Sequence, residues 1–154
     1  MKAMKRIATG LLAIGMMLSV AACGGGEEKT VVMTTTESMS GVSMKDTWTL
    51  NAKGDKLQTT QEVIEIDLSS YDDEQKEAFI ATIYNGFAAS YDALDAVTIK
   101  DNTTDTTYTL DITIDYTGDK GALEDAGLID SGVGYVSLKK TQESLESQGY
   151  SVVE

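Results

Sequence analysis

Residues 106–116 read Thr106-Thr107-Tyr108-Thr109-Leu110-Asp111-Ile112-Thr113-Ile114-Asp115-Tyr116. Tyr108, Leu110, Ile112, Ile114 and Tyr116 fall on one parity, and Thr107, Thr109, Asp111, Thr113 and Asp115 on the other. Side chains of an extended chain alternate between faces, so this segment predicts a strand with one apolar and one wetted face. A sheet wetted on one side is characteristically antiparallel, with its second side covered by helices. Upstream, Ala96–Lys100 predicts the partner strand, turned by Asp101-Asn102-Thr103-Thr104-Asp105.

The same alternation recurs nearer the N-terminus. Val42, Met44, Trp48 and Leu50 alternate with Ser43, Lys45, Thr47 and Thr49, while Asp46 interrupts the apolar face and predicts a bulge or an edge position. Ala52–Lys56 predicts a hairpin turn around Gly54, with Leu57–Leu68 returning as a strand. Apolar parity in that strand changes between Val63 and Ile64, which predicts a bulge or a buried far end there. Thr30–Glu37, rich in Thr and Val, predicts a further strand.

Between the hairpins, Ser70 or Asp72 can cap a helix whose first turn is acidic, as the helix dipole favours. Phe79, Ile80, Ile83, Tyr84, Phe87, Ala88 and Tyr91 recur at three- and four-residue spacing and form one apolar stripe. Ala122–Leu128 predicts a short helix, and Ser137 caps a last one over 138–148 that stops at Gly149, ahead of a short strand at 150–153. The expected fold is α+β: an antiparallel sheet of about five to six strands, one long helix over about 72–92 packed on it, and a C-terminal helix over about 138–148.

The first 23 residues carry an address. Lys2, Lys5 and Arg6 precede an apolar run of 14 residues, Ile7–Val20, short for a bilayer span but suited to a signal peptide. Val20-Ala21-Ala22-Cys23 resembles the bacterial lipobox. That resemblance implies cleavage between Ala22 and Cys23, with diacylglycerol on the Cys23 thiol. Paired acyl chains give stable anchoring. An ordinary secretory signal beside a chance Cys, or an uncleaved anchor, are the alternatives. The expected organisation is a cleaved leader (1–22), lipidated Cys23 with a flexible tether through residue 29, and a single domain over 30–154.

Composition removes whole classes of chemistry. The 154 residues include no His, no Pro and one Cys, so zinc fingers, Ser-His-Asp triads and Cys-His dyads are out of reach. Asp and Glu total 25 against 12 Lys and Arg. Past residue 22 no Arg remains and nine Lys oppose 25 acids, a formal charge of −16. Such a surface repels nucleic acid and anionic lipid headgroups. Gly24 is not the Asp that would hold a Gram-negative lipoprotein at the inner membrane. With the Gly-rich tether and Lys-only domain, it favours the outer face of a Gram-positive membrane, a Gram-negative outer membrane being the alternative.

The closing segment, GVGYVSLKKTQESLESQGY over 132–150, resembles the C-terminal signature of the YehR-like bacterial lipoproteins, small envelope proteins whose domain has no assigned function. Ser137-Leu138-Lys139-Lys140 and Gln148-Gly149-Tyr150 carry the likeness. It implies an α+β domain behind a lipid anchor and brings no catalytic or ligand residues.

The remaining residue constellations have simpler explanations. Ser137 and Lys140 match the S-x-x-K of penicillin-recognising enzymes, but S-D-N and K-T-G are absent and a helix cap accounts for the serine. Asp101, Asp105, Asp111 and Asp115 crowd one hairpin; a solvated acidic face explains them better than Ca²⁺ ligation, for which no D-x-[DN]-x-[DN]-G loop exists. Asp72, Asp73, Glu74 and Glu77 are explained by a helix start. Gly132-x-Gly134 lacks the rest of a dinucleotide loop. Trp48, Tyr84, Tyr91, Tyr108 and Tyr116 have the spacing of core residues. The resulting expectation is a non-enzymatic envelope lipoprotein without cofactor or metal, bound to the membrane through Cys23 and to an unknown envelope protein or small ligand. A carboxylate-based hydrolase of envelope glycans and a Ca²⁺-responsive module are the alternatives.

Overall fold

The structure is a computed structural model that describes residues 26–39, 41–91 and 93–153. The leader, its cleavage site and Cys23 lie outside the described residues. Nine elements follow in order: β1 (Glu28–Met39), β2 (Val42–Lys53), β3 (Lys56–Asp67), α1 (Asp73–Tyr91), β4 (Val97–Thr103), β5 (Thr107–Asp115), α2 (Lys120–Asp125), α3 (Leu138–Ser147) and β6 (Ser151–Val152). The strands form one sheet in the order β4-β5-β3-β2-β1-β6, and every neighbouring pair is antiparallel. The architecture is a mixed α+β sheet with helices on one face. β1 takes in Glu28 and Lys29, which the sequence places in the tether, and pairs Glu28 with Lys53.

Alternation sets the face of each strand. Tyr108, Leu110 and Ile112 of β5 are buried, whereas Thr107, Thr109 and Asp111 face the more open side. On that side Gln61 Nε2 donates to Asp111 Oδ2 at 2.9 Å. The β2–β3 turn falls at Gly54, whose φ of +64° lies in the left-handed region that glycine enters without strain.

Two buried clusters fill the covered face. Ile64, Ile66, Leu68, Tyr108, Leu110 and Ile112 pack beneath α1, which contributes Ile83. Met33, Trp48, Leu50, Leu57 and Tyr116 pack with Leu123, Leu128, Ile129, Val136, Leu138 and Leu145 from α2, α3 and the loops around them. Burial of each such side chain stabilises the fold by about 1.5–3 kcal/mol.

This division corrects the expectation of one long helix covering the sheet. Helix α1 spans 19 residues but lies mainly over the β3-β5-β4 end, with Tyr91 at its close packing on the other cluster, and Phe79, Ile80 and Tyr84 beside Ile83 are half-buried. Two shorter helices, of 6 and 10 residues, cover the other end. The six-stranded sheet is too broad for a single helix, about 10 Å thick, to close. The side chains of Phe87 and Ala88, also assigned to the apolar stripe, lie outside the described residues.

Two further expectations are corrected. Asp46 is neither on an edge nor at a bulge: it lies on an interior strand, pointing inward and only 3% exposed. The irregularity sits between Asn51 and Ala52, where pairing steps from Thr59 to Leu57 and leaves Gln58 as the extra residue. Beyond it, Thr60, Glu62, Ile64 and Ile66 all point inward and Val63 points outward, so no parity change occurs at Val63–Ile64. Polar residues at two inward positions disguise the true period.

Candidate functional site

The helix and turn acids singled out in the sequence serve local structure. Asp72 caps α1 reciprocally: Gln75 N–H donates to Asp72 Oδ1 at 2.9 Å, and Asp72 N–H donates to Gln75 Oε1 at 3.1 Å. Asp73 pairs with Lys76 at 3.7 Å. Asp115 Oδ1 accepts from the backbone and hydroxyl of Thr117. Asp101, Asp105, Asp111 and Asp115 do not converge, and among the described residues no group of three or more His, Cys, Asp or Glu could hold a metal ion.

Ser137 is buried and committed. Its hydroxyl donates to Asp55 Oδ2 at 2.7 Å and accepts from Lys140 N–H at 3.3 Å. Asp55 also accepts at Oδ1 from Lys139 N–H and at its carbonyl from Leu138 N–H. The β2–β3 turn thus supplies a carboxylate to the N-terminus of α3, where the helix dipole favours negative charge. The S-x-x-K spacing is a cap.

Acids brought together by the fold are ones the sequence presents as defects in strands. The register sets Trp48 opposite Glu62 and Asp46 opposite Ile64, so Asp46 and Glu62 are diagonal neighbours on the covered face. Their exposures are 3% and 4%, so both carboxyls are enclosed side by side. Tyr150, following α3, donates its hydroxyl to Asp46 Oδ2 at 2.6 Å. Among the described residues no ion pair joins either carboxyl to a lysine.

Burial pushes the Glu62 carboxyl well above its ordinary pKa, and the Asp46 charge raises it further. Burial also raises Asp46, opposed first by the hydrogen bond from Tyr150. Two adjacent buried carboxylates without a cation are strongly unfavourable, and a proton held between them relieves the repulsion. That proton gives Asp46 and Glu62 a shared bond where Asp46 Oδ1 and Glu62 Oε1 otherwise lack partners. The Tyr150 hydroxyl is likewise pushed up, by burial first and then by the Asp46 charge. Nearby, the Tyr116 hydroxyl bonds Thr60 at 3.2 Å and its pKa is pushed up to about 12 by burial.

Trp48, Tyr108 and Tyr116 are core residues, as their spacing predicts, and Tyr84 and Tyr91 are half-buried. The open side of the sheet carries a depression of about 490 Å³ lined by Ser43, Lys45, Glu65, Asp67, Ser69, Thr106 and Thr107. The carboxyl pair lies on the opposite, covered face and has no part in it.

No protein-family model matches this sequence, and no curated protein matches it. Two solved structures share its fold. The NMR structure of E. coli YehR superposes with a TM-score of 0.56 at 22% identity, covering 84% of this chain and 94% of that one. The NMR structure of a protein from Streptococcus pneumoniae TIGR4 superposes with a TM-score of 0.51 at 13% identity, covering 89% and 92%. The chain has a YehR-like fold. Among the described residues, no helix is long and apolar enough to cross a membrane.

Proposed function

We propose that this protein is a lipid-anchored, extracytoplasmic member of the YehR-like lipoproteins that works by non-covalent binding or structural interaction. One observation carries the non-enzymatic part: the acids that face each other, Asp46 and Glu62, are enclosed on the covered face of the sheet. A general acid must come within hydrogen-bonding reach of its substrate, directly or through one water. The anchor rests on Lys2, Lys5, Arg6, the apolar run 7–20 and the Ala22-Cys23 junction, and the family assignment on the 132–150 segment together with the shared fold.

The anchor is tested in the native host by mass spectrometry of the N-terminal peptide and by detergent-phase partition. A peptide beginning at diacylglyceryl-Cys23, and a Cys23→Ser variant that leaves the detergent phase, are expected. A bare thiol, or a leader still attached, overturns the anchor.

A second reading is favoured by the pairing of Asp46 with Glu62, an arrangement glycoside hydrolases use when both acids reach a sugar. Turnover separates the two. The purified mature protein is expected to release no sugar from isolated envelope glycan; release that Asp46→Asn, Glu62→Gln abolishes favours the hydrolase.

A further inference from the structure

The C-terminal segment is fastened to the sheet by few contacts. Gly149, at φ +97°, turns the chain out of α3. Tyr150 N–H donates to the Leu145 carbonyl at 3.1 Å, and the ring packs beside the core. The two-residue β6 pairs Ser151 with Thr34 and Val152 with Met33, and Val153 N–H donates to the Val32 carbonyl at 2.9 Å. Ser151, Val152 and Val153 are all exposed, so burial of their own side chains adds little. The bond from this segment to the interior is that of Tyr150 to Asp46.

We propose that Asp46, Glu62 and Tyr150 form a proton-held latch: while Glu62 donates to Asp46, Tyr150 stays bonded to Asp46 and β6 stays on β1, and loss of that proton releases β6 from the sheet edge. The geometry supplies the coupling. Asp46 accepts from Tyr150 and lies diagonally beside Glu62, so a charge appearing on Glu62 acts directly on the group that holds Tyr150. The titratable groups facing the pair are Glu37 from β1, Tyr116 just past β5 and Tyr150 itself. None supplies positive charge, so a second negative charge has no local partner and is relieved by opening toward water. Release frees Met33 and Thr34, the two β1 residues that β6 covers, and so extends the open edge of β1 on which another extended chain can pair.

Burial and the Asp46 charge hold the proton on Glu62 above the ordinary carboxyl range, so the latch is closed at mildly acidic pH and opens as pH rises. Asp46 keeps its charge while Glu62 holds the shared proton. The sign is opposite to that of an exposed carboxylate salt bridge, which weakens on acidification.

The test is amide hydrogen exchange on the full mature chain, corrected for intrinsic rates, between about pH 6 and about pH 9.5, a range reached by buried carboxyls. Protection at Val153 is expected to fall at least about tenfold, the equivalent of one pKa unit of coupling, while β5 amides stay protected. Glu62→Gln, which keeps the donor and removes the titration, is expected to flatten the profile. Tyr150→Phe is expected to leave Val153 poorly protected throughout. A flat wild-type profile, an unchanged fall in Glu62→Gln, or a parallel loss in β5 overturns the latch. Should Glu62→Gln not fold, Tyr150→Phe decides, and a profile that still follows the wild type overturns it.

Discussion

The two ends of the covered sheet face are built on different principles. Beneath α1, the inward positions of β3 and β5 carry Ile64, Ile66, Tyr108, Leu110 and Ile112, held by burial and close packing. Beneath the C-terminal segment, Asp46 and Glu62 take inward positions between Trp48 and Ile64, and charge state decides whether they are tolerated. An apolar core responds to lost volume and is indifferent to pH. A core containing a carboxyl pair responds to proton activity, because one proton separates a bonded pair from two buried charges. A single sheet therefore holds one end whose stability is constant across ordinary conditions and another whose stability can be tuned.

The sharpest way to set the two ends apart is to damage each in its own currency. Leu110→Ala, at a fully buried position of the apolar end, is expected to lower stability by about 2–5 kcal/mol. The loss, read from urea midpoints, should be the same at every pH at which the protein folds. A pH-dependent loss would mean that the ends are not independent.

The acid end is expected to give a smaller change that depends on pH. Glu62 has a folded pKa well above its unfolded value, so the folded state holds a proton that the unfolded chain releases. Its contribution is fully present below the unfolded pKa and is lost as pH rises through the folded one. The urea midpoint of the wild type is therefore expected to fall on the alkaline side, and that of Glu62→Gln to fall less. Identical profiles would remove the distinction.

Caps bear on each end separately. Asp55→Ala removes the carboxylate that holds Ser137 and Lys139 at the start of α3, and is expected to cost about 1–2 kcal/mol. Asp72→Ala removes one half of the reciprocal cap of α1, for about 1 kcal/mol. If the ends are distinct, amide exchange should rise in α3 for the first variant and in α1 for the second. Smallest of all, Lys45→Ala breaks a 3.6 Å pair with Glu65 on the open face, where both side chains are about half exposed. A change within about 1 kcal/mol in thermal unfolding is expected.

Legibility followed the range of the interaction. The α+β class, the Gly54 hairpin, the Ser137 cap and the Gly149 stop are readable because alternation, capping and positive φ act within a few residues. The acid pair was hidden for the complementary reason. Asp46 reads as an interruption of β2, and Glu62 as an ordinary polar residue of β3, until the displacement at Gln58 puts Glu62 on the inner face beside it. Tyr150 lies 104 residues from its partner. A polar residue at an inward position of two successive antiparallel strands is the signal that could have marked the pair, but the parity of β3 is masked by Thr60 and Glu62 themselves.

By itself, the sequence determined the strands and helices to within a few residues, the acidity of the chain and the absence of His chemistry, since each follows from local geometry or from composition. Only the tertiary structure decided that three helices share the cover of the sheet, that Asp46 lies inside and that Tyr150 closes on it. Those outcomes depend on strand register and on which surfaces exclude water, and both are properties of the assembled sheet.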